Sequence, residues 1–205
     1  VIVLHNIPNL KSPTPKAVTK ALNSDVPILF AGGAEMDWEH IPLERTGISV
    51  EHGAALQEVS GTVNKGFSLF AIPVGLDKEL AYLPPLTGAI GKAKSSKSLQ
   101  SIIYQRLDAL ETVWPLLGFN KDALGRRSGI FMGEGIWRWR MESSIQNGNS
   151  NVIDALINNT VQYLDSRDDV RRFRVVAPKR LEQDERVAFS AQVYDASLNP
   201  STDSD

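Results

Sequence analysis

The sequence predicts an α/β fold, a parallel sheet flanked by helices, followed by a β-hairpin that opens a second, β-rich segment. Three observations carry this. Two short, continuous apolar runs, Val1–Leu4 and Pro27–Phe30, bracket a helical stretch at the spacing of a parallel strand–helix–strand crossover. Asn151–Asp165 shows an unbroken helical apolar period through Ile153, Leu156, Ile157, Thr160, Val161 and Leu164. After Asp168-Asp169 that period gives way to the strict alternation of strands.

Taken in order, Val1–Leu4 reads as a strand buried on both faces. Thr14 is placed to cap a helix whose first residue is Pro15 and which runs to Leu22, with Asn23-Ser24-Asp25 ending it. Pro27–Phe30 is the second strand and stops at Ala31-Gly32-Gly33. Residues 34–64 show no clear period. Gly66–Ile72 reads as a strand, Lys78–Leu83 as a short helix or turn stopped by Pro84-Pro85, and Lys92–Lys97 as a basic mobile loop. Leu99–Leu107 fits a helix face or a strand; its β-branched and aromatic content favours strand. Trp114–Phe119 and Ser128–Met132 are further strands, and Ser150 is the expected cap of the Asn151–Asp165 helix. Phe173, Val175, Val187, Phe189 and Val193 are expected on one face of a terminal antiparallel hairpin. The chain therefore divides into an α/β domain, 1–169, and the start of a truncated β-sandwich, 170–205.

Composition excludes several functions. Lys+Arg is 22 and Asp+Glu 24, so no global positive field draws nucleic acid or an anionic membrane. Cysteine is absent, which removes disulfides, thiolate metal sites and a cysteine nucleophile. The three histidines, His5, His40 and His52, are too few for a histidine-rich metal site, and neither metal nor cofactor is expected. No apolar run approaches the ~20 residues of a membrane span, so no direct membrane insertion is expected. A start on an apolar strand, without Met or a charged leader, reads as a piece of a longer protein.

Two places carry candidate chemistry. Gly32 and Gly33 end a strand where open α/β sheets bind ligands, and they serve either close backbone approach or a tight turn. The second is Gly129–Arg140, where a strand runs into Gly133-Glu134-Gly135 and two Trp alternate with two Arg. Glu134, Trp137 and Arg138 read as a carboxylate with an aromatic and cationic wall, or as Trp137 packed under the sheet with Arg138 and Arg140 paired to acids. His5, just past the first strand, is placed to share that crevice with Glu134.

The strand ending in Ala31-Gly32-Gly33, the strand ending in Gly133-Glu134-Gly135-Ile136-Trp137-Arg138-Trp139, and the long helix that follows resemble the class I glutamine amidotransferase-like fold. The resemblance is closest to the form found in membrane-anchored envelope proteins of Bacteroidetes-type bacteria, related to the von Willebrand A and aerotolerance-type families. It is strongest over Trp114–Asp195. It implies a flavodoxin-like parallel sheet, here without the family's first strand–helix–strand, and the periplasmic portion of an inner-membrane protein. It does not imply the activity. The place of the family's nucleophile, Ala31-Gly32-Gly33, holds no Cys, Ser or Thr, and no His accompanies Gly133-Glu134.

The sequence thus favours a non-catalytic domain that binds a small molecule or a protein partner, with Gly32, Gly33, Glu134, Trp137, Arg138 and His5 as candidate binding residues and no catalytic residue. The rival is a hydrolase-type enzyme with Glu134 as base and His5 or Arg138 as helper; a structural spacer is the third reading.

Overall fold

Two apolar runs too short for helices form paired strands. They form β1 (Ile2–His5) and β2 (Ile28–Ala31), joined through α1 (Lys16–Leu22) and paired in parallel with Ile2 opposite Ile28. The computed structural model describes residues 1–11, 14–33, 35–50, 55–90, 93–108, 110–166, 173–176 and 190–193. Pro15, with φ −59° and ψ 144°, stands one position before the helix instead of inside it. The chain continues through α2 (Leu43–Thr46), β3 (Ile48–Val50), β4 (Ala55–Val63), α3 (Leu76–Leu80), β5 (Leu86–Ile90) and β6 (Ala93–Ser95). It then forms β7 (Gln100–Leu107), β8 (Leu110–Lys121), β9 (Arg127–Phe131), α4 (Ile136–Asn147) and α5 (Asn151–Asp165).

Seven strands make one mixed sheet in the order β1-β2-β9-β8-β7-β4-β5, with helices against it. Parallel pairing is confined to β1, β2 and β9; every later neighbour is antiparallel. The expected all-parallel sheet is corrected to this extent. For β7–β8 and β8–β9 the cause is connection length. Two residues separate β7 from β8 and five separate β8 from β9, far too few for a parallel crossover of a dozen or more.

Alternation along β2 and β9 feeds two cores. Ile28, Phe30 and Ile130 face Leu4, Val18, Met36 and Trp38 on one side. Leu29 and Phe131 belong with Trp139, Ile153, Leu156 and Leu164 of the α4–α5 layer on the other.

Gly66–Ile72 is not a strand. Its aromatic residues are core anchors borne by an irregular segment: Phe67 and Phe70 meet at 4.8 Å, Phe70 meets Phe119 at 5.3 Å, and Phe119 meets Tyr163 at 5.1 Å. Within the expected basic loop, Ala93–Ser95 is β6, paired antiparallel with β3; Lys92 lies outside the described residues.

The second unit spans Arg167–Asp205, and the first ends at Ser166, three residues before the expected boundary. Its described part is an antiparallel pair, β10 (Phe173–Val176) and β11 (Ser190–Val193), with Phe173 opposite Val193 and Val175 opposite Ala191. This is the register that the alternation requires, while Val187 and Phe189 lie outside the described residues. Among the described residues no helix is long and apolar enough to cross a membrane.

Candidate functional site at the ends of the parallel strands

Three parallel strands pointing the same way bring their carboxyl ends together. Asn6 follows β1, Gly32-Gly33 follows β2, and Gly133-Glu134-Gly135 follows β9. Backbone bonds lock the first two loops: Asn6 N–H donates to Ala31 O at 2.9 Å, and Gly32 N–H donates to Phe131 O at 3.0 Å. The third is fixed from elsewhere. Glu134 and Thr87 exchange backbone hydrogen bonds, Glu134 N–H to Thr87 O at 2.8 Å and Thr87 N–H to Glu134 O at 3.1 Å. Thr87 belongs to β5, four strands from β9 in the sheet order. The sheet therefore curls until its β5 edge returns to the chain just beyond β9, as strands do when a sheet approaches closure.

Side chains complete the crevice. Asn6 Nδ2 donates to Glu134 Oε1, and Asn6 Oδ1 accepts from Gly33 N–H at 3.2 Å. One amide thus spans all three loops. Asn6 has φ 50°, a left-handed conformation that asparagine tolerates better than most residues. The indole of buried Trp38 donates to Gly33 O at 3.0 Å and holds that loop from below. The glycines answer to close approach. A Cβ on Gly32 would stand 2.5 Å from Asn6 Oδ1, and one on Gly33 would stand 3.0 Å from both Cγ and Cδ of Glu134. Half-buried Glu134 accordingly lies flat against Gly33 with Oε1 engaged by Asn6.

The other candidates separate from this centre. Trp137, expected to be largely buried, is 62% exposed. The segment after Gly135 is the first turn of α4 and not the end of a strand, so the inward position falls three residues into the helix. Trp139 takes it at 1% exposure, with its indole donating to Pro84 O at 2.8 Å. Arg138 folds back over Gly135, whose φ is +96°; a Cβ there would meet Arg138 Nε at 2.8 Å. Arg138 Nη2 donates to Pro85 O at 2.7 Å, so it ties α4 to the entry of β5. The acid partner expected for Arg138 or Arg140 belongs to Arg140, whose Nε lies 2.8 Å from Asp154 Oδ1. His5 is exposed and makes neither a hydrogen bond nor an ion pair with Glu134. The alternation of β1 turns it away from the face of buried Leu4, and the residue that reaches Glu134 is the next one, Asn6.

The arrangement presents a fixed carboxylate whose second oxygen is not spent on Asn6. An ionised carboxylate only accepts hydrogen bonds, so it suits ammonium, guanidinium or hydroxyl donors. Among the described residues no group of histidines and acids could hold a metal ion. No family model, curated protein or solved structure matches the chain.

Proposed function

We propose that the chain is a non-catalytic binding module whose crevice, at the ends of β1, β2 and β9, receives a cationic or hydroxyl-bearing group, from a small molecule or a partner side chain. The observation that supports it is the Glu134 carboxylate, pinned by Asn6 and seated on Gly33. Ligand sites of α/β sheets lie outside the carboxyl ends of parallel strands, where these three loops converge. The glutamine amidotransferase-like kinship is part of the same reading. It draws support from the adjacency of the Ala31-Gly32-Gly33 and Gly133-Glu134-Gly135 strand ends. The flavodoxin-like relation applies to the parallel β1-β2-β9 side. With that kinship comes placement in the periplasmic part of a membrane-anchored envelope protein. The carboxylate's partner is an amide with no basic nitrogen, which favours holding a ligand over abstracting a proton.

Glu134→Gln is the decisive substitution. The glutamine carbonyl can still accept from Asn6 Nδ2, so the unliganded melting temperature should stay within about 2 °C of wild type. Melting scans with arginine, spermidine and glucosamine as probes should show a stabilising shift in wild type that Glu134→Gln loses. A fall in stability with no probe-dependent shift in either protein would leave Glu134 as a turn support and overturn the binding reading. Glutamine turnover above background, abolished by the same substitution, would overturn the non-catalytic part.

A further inference from the structure

The end of α4 carries a group of side chains that the crevice does not use. Glu79, on α3, is buried at 6% exposure. The side chains that reach its carboxylate are neutral ones from α4. Ser143 Oγ donates to Oε2 at 2.9 Å, and Asn147 Nδ2 donates to Oε1 at 3.0 Å. A buried carboxylate is costly unless hydrogen bonds replace its water, and these donors supply them. Asn147 Nδ2 also donates to the Tyr82 hydroxyl at 2.6 Å. A single amide nitrogen therefore latches the end of α4 to α3 and to the chain just beyond α3.

Asn147 is also placed to change chemically. With Gly148 it forms the only Asn-Gly step in the sequence. It is the last residue of α4 and exposed, so water reaches it. Gly148 turns out of the helix at φ 71°, with nothing within 4 Å of where a Cβ would stand. Glycine leaves its own amide nitrogen unshielded and its dihedrals free, as ring closure onto the preceding side chain requires. We propose that Asn147–Gly148 is a self-modifying site that releases the latch. The Gly148 amide nitrogen, giving up its proton to solvent, bonds to Asn147 Cγ. The Cγ–Nδ2 bond breaks, and Nδ2 leaves as ammonia. Water then opens the cyclic imide at either carbonyl and leaves aspartate or isoaspartate. Tyr82 assists the departure. Its hydroxyl stands 2.6 Å from the nitrogen that must gain a proton to leave, and it recovers that proton from solvent. The product carries a carboxylate where the amide donated. Both donated hydrogen bonds are lost, and a like charge stands beside buried Glu79, so α4 is repelled from α3.

Peptide mapping by mass spectrometry, on the full chain held in mildly alkaline buffer, reads the chemistry directly. Asn147 should convert before any other asparagine, faster as pH rises, to a mixture of aspartate and isoaspartate. The mixture is the mark of the cyclic route. Tyr82→Phe keeps the ring and should slow the conversion about tenfold or more, as loss of a general acid does. Melting scans at neutral pH read the consequence. Asn147→Asp should lower the melting temperature by about 4 °C or more, and by less than half as much in a chain that also carries Glu79→Gln. Three results would each overturn the proposal: Asn147 intact while other asparagines convert, Tyr82→Phe converting at the wild-type rate, or Asn147→Asp equally costly with and without the Glu79 carboxylate.

Discussion

The turn between β8 and β9 hangs on one carboxylate. Asp122 Oδ1 accepts from the backbone N–H of Leu124 at 3.0 Å and of Arg126 at 2.8 Å, and Oδ2 accepts from Arg126 Nε at 2.7 Å. Gly125, at φ +79°, supplies the left-handed residue that lets the chain reverse. Burial pushes the Asp122 carboxyl upward, but the Arg126 and Leu124 hydrogen bonds and the Arg126 charge together hold it below its ordinary value. A folded pKa lower than the unfolded one means that the ionised form stabilises the fold above the unfolded value. That contribution fades as pH falls through the folded value. Asp122→Asn should therefore cost about 1–2 kcal/mol at neutral pH. The gap from wild type, read by urea unfolding, should narrow as pH drops below about 4. A gap that stays constant into acid would show that geometry, and not the charge, carries the turn. The same scale holds the residue that sequence reasoning missed. Asn6 left a single signal, an asparagine directly after a strand, and nothing in its spacing ties it to Glu134, 128 positions away.

Elements were readable where one period ran unbroken. Asn151–Asp165 matches its expected bounds because Ile153, Leu156, Thr160 and Leu164 all face the core. Its Ser150 does not cap in the expected way, however: the hydroxyl donates to Asp154 Oδ2 at 2.8 Å instead of accepting from a backbone N–H. Helix α4 was unreadable for the opposite reason. Its apolar residues point both inward and outward, so no single stripe emerges. β4 was hidden by Gly61, which stands at an inward position because Ile103 Cγ2 would lie 2.8 Å from a Cβ there. The two tryptophans of α4 make a sharp test of its register. Trp139→Ala should cost about 3–5 kcal/mol, as removal of a buried large aromatic does. Trp137→Ala should change stability by less than about 0.5 kcal/mol, as exposed substitutions do. Equilibrium unfolding compares them, and the reverse ranking would rotate the helix.

At the scale of the whole molecule, the parallel half of the sheet was legible and its curvature was not. The strand–helix–strand spacing from Val1 to Phe30 specifies parallel β1 and β2 directly. The return of β5 to Glu134 depends on a pairing between segments 47 residues apart with no shared pattern. Val1–Ser166 is a compact unit of its own, and among the described residues it holds both cores. A chain ending at Ser166 should therefore fold alone, in one cooperative transition, within about 2 °C of the full chain. The limit lies close by. Leu164 is fully buried, and Arg127 Nη1 donates to Tyr163 O at 2.7 Å and to Ser166 O at 2.6 Å, which clasps the last turn of α5 to the start of β9. A chain ending at Gln162 removes the Leu164 side chain from the core along with both acceptors, and should lose about 3 kcal/mol or more. Calorimetry of the three lengths decides the matter. A large loss already at Ser166 would mean that the second unit lends stability to the first, and equal stability of all three would mean that the end of α5 is dispensable to the core.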